Sequence, residues 1–320
     1  MSCYLAITGG VGGAKLSLGL THVLSPDELG IAVNTGDDFE HLGLHVSPDL
    51  DTLMYTLSGL SNPDTGWGRV GESWNFIETL RSLGGEDWFN LGDRDLAVHV
   101  YRTVGLAAGK SLSQIVQDMH LKLGIKHPVW PVTDDRLRTR VETNEGTLDF
   151  QHYFVRERCE PVVHSLHFEG AEYAKINQNL LNWLNRDDLK GIVICPSNPF
   201  LSIDPILAVP AFRTALEQRT VPCVAVSPVI QGAAVKGPTT KIMAELGLPQ
   251  SATAIAKYYG NLIDGFILDQ HDAELAPEIE ALQVRVMVAQ TLMTTLDDRI
   301  DLAHTALGFI AQIAQESAQQ

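Results

Sequence analysis

The stretch that most constrains the fold is the first one. "CYLAIT", Cys3 to Thr8, reads as a buried strand and runs straight into "GGVGGAKLSLGLTHVL". Glycines at 9, 10, 12 and 13 allow a tight backbone turn, and an apolar-periodic helix follows them. Next come the short apolar run "GIAVN", the acidic loop "TGDDFEHLGLHVSPDLDT" and the helical "LDTLMYTLSGL". Strand, tight loop, helix and strand in this order open a doubly wound sheet, whose ligands bind beyond the carboxyl ends of its strands. The glycine run and the acidic loop are therefore expected at one sheet edge.

The same rhythm returns after "NQNLLNWLNR". Strands "GIVIC" and "PCVAV" lead into the loops "PSNPFLSIDP" and "SPVIQGAAVKGPTTK", and "DGFILD", "VRVMVA" and the closing helix "DDRIDLAHTALGFIAQIAQ" follow. Between the two halves, residues 71–124 show helical spacing. "HPVWPVT", "LRTRVET" and "GTLDFQHYFV" then read as strands, the last two forming a hairpin around Asn144-Glu145-Gly146. Alternation of Leu148, Phe150, His152 and Phe154 supports strand there. The expected architecture is a single α/β unit over 1–320, Rossmann-like, with a doubly wound, mostly parallel sheet. Its core spans about 1–60 and 190–320, and an inserted helical and β-hairpin region spans about 61–189.

Lys plus Arg total 23 against 39 Asp plus Glu, a net charge of −16, which argues against a nucleic-acid or anionic-membrane partner. Any phosphorylated ligand must be held locally, by backbone N–H groups, a few placed cations or a metal ion. Cys3, Cys159, Cys195 and Cys223 form no CxxC pair and read as reduced core residues. No run approaches the roughly 20 apolar residues of a membrane span, and the start carries no targeting pattern, so a cytoplasmic location is expected.

The glycine run fits neither familiar phosphate signature. Ala14 precedes Lys15 and Leu16 follows it, which breaks the Walker pattern, and Lys15 stands where the dinucleotide fingerprint needs its third glycine. Backbone donors from Gly9, Gly10, Gly12 and Gly13 still outline a diphosphate cradle, unless these glycines serve only close packing. Lys15 is either a phosphate partner or a solvated helix residue. Asp37, Asp38, Glu40, Asp49 and Asp51 crowd the acidic loop, where one or two carboxylates suit Mg²⁺ and one suits a general base. Alternatively, Asp49 caps the helix beginning near Leu50, and Asp37 and Asp38 serve a turn.

In "LGDRDLAVH", Arg94 sits between Asp93 and Asp95 at a helix start, where the dipole disfavours a cation unless an anion is near. Ser197 and Asn198 in "CPSNPF" suit base or phosphate contacts, and Lys236 and Lys241 suit phosphate neutralisation. HExxH and GxSxG are absent. His164 and His167 lie three apart on a strand-like run and so face opposite ways.

Together, "ITGGVGGAKL", "NTGDD", "VSPDLDTLMYTL", "LGDRDLA", "CPSNPF", "VSPVIQGAAVKGP" and "TLMTT" resemble the CofD family, in order and over essentially the whole chain. The resemblance implies a Rossmann-like homodimer that moves a phospho-carboxylate unit (phospholactyl, phosphoenolpyruvyl or phosphoglyceryl) from a guanosine-diphosphate-linked donor. The acceptor is the terminal hydroxyl of the deazaflavin Fo, GMP is released with Mg²⁺ help, and F-420-0 or its dehydro form results. By motif position, Asp51 and Arg94 look like deazaflavin-contacting residues, and the glycine loop and "PSNP" like parts of the nucleotide site. Asp37 and Asp51 are the expected metal ligands, Asp37, Asp51 and Arg94 the expected catalytic group, and Lys236 or Arg94 a charge neutraliser. Gly13-Ala14 and Gly36-Asp37-Asp38 depart from the archaeal form of the family, which bears on the acid carried by the donor. The rival reading is a nucleotide-sugar-binding regulator of the gluconeogenesis-factor type.

Overall fold

The run of apolar residues at the start forms strand β1 (Cys3–Thr8), and Gly9 leads directly into helix α1 (Gly10–Val23). The structure, a computed structural model, describes residues 2–63 and 66–318. After α1 come β2 (Leu29–Val33) and, past the acidic loop, α2 (Pro48–Leu57).

Seven parallel strands form the central sheet. From one edge they run Arg285–Ala289, Gly265–Asp269, Cys223–Val226, Leu189–Ile194, β1, β2 and Val129–Pro131. Strand order reverses between β1 and Leu189–Ile194, so this is the topological switch point at which doubly wound sheets bind ligands. Both faces are covered, which is why these strands read as continuous apolar runs. Leu5 and Ile7 pack into one core with Ile192 and Phe212. Ala6, Ile31 and Val33 enter the opposite core with Leu302 and Phe309 of the closing helix Leu296–Ser317. Helix α1 approaches that helix closely: a Cβ on Gly19 would stand 2.0 Å from the Arg299 carbonyl oxygen.

The expected insertion is smaller than its sequence limits. Val129–Pro131 pairs with β2 and completes the first half of the doubly wound sheet, and helix α5 (Leu112–Lys122) sends Leu112 and Val116 into the main core. The true additions are α3 (Asn75–Ser82), α4 (Asp93–Ala107) and a three-stranded antiparallel sheet ordered Gly146–Asp149, Arg138–Thr143, Val163–Glu169. The hairpin about Asn144-Glu145 is present, but its second strand ends at Asp149 and His152–Arg156 winds into a π-helical turn. Phe150 and Phe154, which suggested strand alternation, instead stack at 5.4 Å across that turn.

Two short ribbons have no counterpart in the sequence reading: Phe39–His41 with Leu44–Val46, and Val229–Ile230 with Ala233–Ala234. Leu42-Gly43 and Gln231-Gly232 turn them, all four residues having positive φ. Such turns are usually announced by Asn-Gly or Asp-Gly, and here that signal is missing. Both ribbons lie at the carboxyl edge of the sheet and shape the site.

Candidate active site

Loops from both sides of the switch point meet around a cavity of about 890 Å³. The Gly9 N–H donates to Ser197 Oγ at 3.2 Å, tying the glycine loop to the loop after Leu189–Ile194. A Cβ on Gly12 would lie 2.3 Å from the Pro196 carbonyl oxygen, and one on Gly13 would lie 2.1 Å from Thr8 Oγ1. The glycines thus serve close packing as well as ligand approach: Gly9, Gly10 and Gly12 line the cavity, whereas Gly13 is not among its lining residues. Ser197 and Asn198 line it too. Asn198 Oδ1 accepts from the N–H groups of Phe200 and Leu201, while its buried Nδ2 has no partner among the described residues. That leaves both N–H groups of the amide unpaired on a cavity-lining residue.

Lys15 and Lys236 supply positive charge to the same cavity. Lys15 is not a solvated helix residue: its Nζ donates to the Met293 carbonyl at 2.8 Å, bringing in the "TLMTT" segment from far along the chain. Burial, and then the nearby positive charges of Arg299 and Lys236, pull its pKa below the usual lysine range. Three cations near one another make a local positive field in a chain this acidic. Lys241 lies elsewhere, bonded to the Pro161 carbonyl and Glu245.

The carboxylates divide into two groups. In the first, Asn34 Nδ2 donates to Asp37 Oδ1 at 2.9 Å and to Asp49 Oδ2 at 3.0 Å, so one amide joins two buried acids. Burial pushes the Asp49 carboxyl up to about 6 and raises Asp37 well above the ordinary range, with the Asp49 charge adding to the rise at Asp37. Asp49 does not cap α2, where Ser47 takes the N-cap position; it accepts the Gly10 N–H at 2.7 Å instead. Asp38 accepts from His45 Nε2 and Ser47 Oγ.

The second group centres on Asp51, one turn into α2. Its Oδ1 is ion-paired with the fully buried Arg102 of α4. Its Oδ2 lies 3.6 Å from His99 Nδ1 and has no hydrogen bond among the described residues. Burial raises the Asp51 pKa, and Arg102 and His99 act against the rise. Asp51, Tyr55, Asp95 and His99 all line the cavity. Arg94, in contrast, is exposed and is not among the lining residues, with its guanidinium next to Gly71. The anion its helix start requires is Glu72, which accepts the N–H groups of Arg94 and Asp95 at 2.8 and 2.9 Å. Asp93 caps α3 rather than its own helix, accepting from Ser73, Asn75 and the Phe76 N–H.

No cluster of three or more His, Cys, Asp or Glu able to hold a metal occurs among the described residues. The described residues thus form no protein-only cage, but Mg²⁺ needs only one or two carboxylates beside water and phosphate. Asp37 fits that need better than Asp51. Its neighbours are Asn34, Asp49 and Asp38 rather than a cation, while Asp51 already has Arg102 and His99.

Trp88, Phe89, Phe150 and Phe154 add an aromatic wall that the sequence reading missed. Phe89 meets Phe39 edge-on at 4.9 Å and Trp88 meets His152 at 4.7 Å, so ribbon, α3–α4 connection and the π-helical turn support one another. The available signals were the adjacent aromatics "WF" ahead of "LGDRD" and the helical spacing of Phe150 and Phe154.

Sheet order, glycine loop and paired carboxylates define a doubly wound α/β protein with a cleft at its switch point, extended by an inserted wall. The chain belongs to the CofD family: residues 5–297 match the family described as 2-phospho-L-lactate transferase CofD. It is 38% identical to a phosphoenolpyruvate transferase of Kitasatospora aureofaciens, over 98% of this chain and 99% of that one. It is 34% identical to a 2-phospho-L-lactate transferase of Methanocaldococcus jannaschii, over 96% and 98%. A crystal structure of a UPF0052-family protein from Bacillus halodurans shares the fold, with a TM-score of 0.60 at 13% identity over 96% of this chain and 99% of that one. Family and relatives support a transferase of coenzyme F-420 biosynthesis, as the sequence resemblance implied.

Proposed function

We propose that this chain transfers a phospho-carboxylate unit from a guanosine-diphosphate-linked donor to the terminal hydroxyl of the deazaflavin Fo, releasing GMP. One observation carries the reading: a cation-flanked glycine cradle and a four-membered aromatic wall line the same cavity. A diphosphate suits the first, and a planar fused-ring acceptor suits the second. At about 890 Å³ the cavity is at the large end for small-molecule sites, as two reactants require.

In this mechanism Gly9, Gly10 and Gly12 hold the diphosphate by close backbone approach, and Lys15 and Lys236 neutralise its charge. The Asn198 amide adds a donor. Asp51 accepts the proton of the Fo hydroxyl as its oxygen bonds to the phosphorus distal to guanosine. The bridging P–O bond breaks, and GMP leaves with the electron pair. Asp37, with Asp49 beside it, would hold Mg²⁺, which when bound stabilises negative charge on the transferring phosphate. Catalysis of this kind asks the protein mainly to place two reactants in line and stabilise charge, which a preformed cleft suits.

The test is to incubate the protein with Fo, Mg²⁺ and, in turn, the lactyl, enolpyruvyl and glyceryl guanosine donors, following GMP and product mass. Product with one of them supports the reading and identifies the acid. No product with any, together with thermal stabilisation by UDP-sugars and none by GDP, would favour the regulatory class instead.

A further inference from the structure

Beside the apolar cluster that Met54 of α2 and Val98 of α4 share, the two helices are joined by a cluster of buried polar side chains. Asp51 and Tyr55 lie one turn apart on α2, and Asp95, His99 and Arg102 follow one face of α4. Tyr55 donates its hydroxyl proton to Asp95, His99 Nε2 lies 3.3 Å from Asp95 Oδ2, and Arg102 pairs with Asp51. Arg102 is 0% exposed, and it also donates to the His45 carbonyl at 3.2 Å. Burying a guanidinium costs more than packing an apolar side chain of the same size, so stability alone gives a poor account of it.

Its contact has a directional consequence. Arg102 takes Oδ1 of Asp51, and Oδ2 is buried 3.6 Å from His99 Nδ1 without a hydrogen bond among the described residues, on a residue that lines the cavity. We propose that Arg102 is a positioning residue, contributed by the inserted helix, that fixes the Asp51 carboxylate through Oδ1 and keeps Oδ2 unbonded to take the acceptor's proton. This rests on the transferase reading above. Arg102 touches neither reactant and does not line the cavity, so its effect must appear in turnover and not in donor binding.

Steady-state kinetics and GDP calorimetry on the full chain test this. Arg102→Gln is expected to lower kcat about 100-fold, the scale of a misplaced catalytic group, with GDP affinity unchanged. Arg102→Lys restores part of the loss. Asp51→Asn with Arg102→Gln is no slower than Asp51→Asn alone, since both act on one step. If Arg102→Gln does not fold, the double variant, which removes the charge pair together, and Arg102→Lys carry the comparison. Wild-type product with an unchanged kcat in Arg102→Gln, or losses that multiply in the double variant, overturns this inference alone. Absence of product from the wild type overturns the transferase reading itself.

Discussion

The Gly10 N–H donates to Asp49 Oδ1 at 2.7 Å, so the start of the glycine-loop helix is held by an acid from the first turn of α2. Helix starts attract negative charge, and this one has no acidic residue in its own first turn. Asp49 supplies it from 39 residues away, at the expense of a buried carboxylate.

That expense is visible in pH dependence. With its pKa raised to about 6 from an ordinary 3.8, Asp49 favours folding below the lower value, and this contribution is lost as pH rises through the upper one. Asp49→Asn keeps an acceptor for Gly10 and does not ionise. Its melting temperature relative to the wild type should therefore climb between about pH 4 and pH 6 and level off above. Metal-free thermal melts across that range check this; parallel curves would refute it.

Asp37 is expected to separate stability from activity. Its pKa is raised, so at neutral pH its charge works against folding, and Asp37→Asn should be at least as stable as the wild type there. Turnover should fall on the order of 100-fold and lose its dependence on Mg²⁺, and EDTA should silence the wild type. Retained Mg²⁺-dependent turnover in the variant would move the metal elsewhere.

Gly12→Ala tests the close approach of the two switch-point loops. Its Cβ would stand 2.3 Å from the Pro196 carbonyl oxygen, a backbone atom that must move. Overpacking of this kind costs about 1–3 kcal/mol, and GDP affinity should fall with it because the cradle is displaced. An unshifted denaturant midpoint would show the loop to be looser than this packing implies.

Trp88→Ala tests the aromatic wall. Losing this cavity-lining side chain and its contact with His152 should raise KM for Fo about tenfold while GDP binding stays as it was. Equal losses for donor and acceptor would place Trp88 in general support of the fold.

Contiguous residues carried the fold. Cys3 to Val23 spells strand, turn and helix without reference to anything distant, and the recurring strand-loop-helix order supplied the doubly wound sheet. Even the edge at which the cavity lies followed, because it depends only on strand direction. Where local pattern was ambiguous, packing decided: Phe150 and Phe154 alternate as a strand would, yet the wide turn lets them stack.

Gly9, Gly10, Gly12, Lys15, Asp37, Asp51, Ser197, Asn198 and Lys236 were legible as cavity residues from their place after strands, whereas Gly13, read with them, is not among the lining residues. The partners these residues meet were not legible. Arg102 meets Asp51 from 51 residues away, and Met293 receives Lys15 from 278 residues away. Arg94 looked functional from its neighbours, but its side chain is exposed while Asp95, on the same helix, lines the cavity. Periodicity records which face of an element is buried, a property of neighbouring residues. The pairing of one buried charge with another depends on how whole elements dock, and only the tertiary structure decides that.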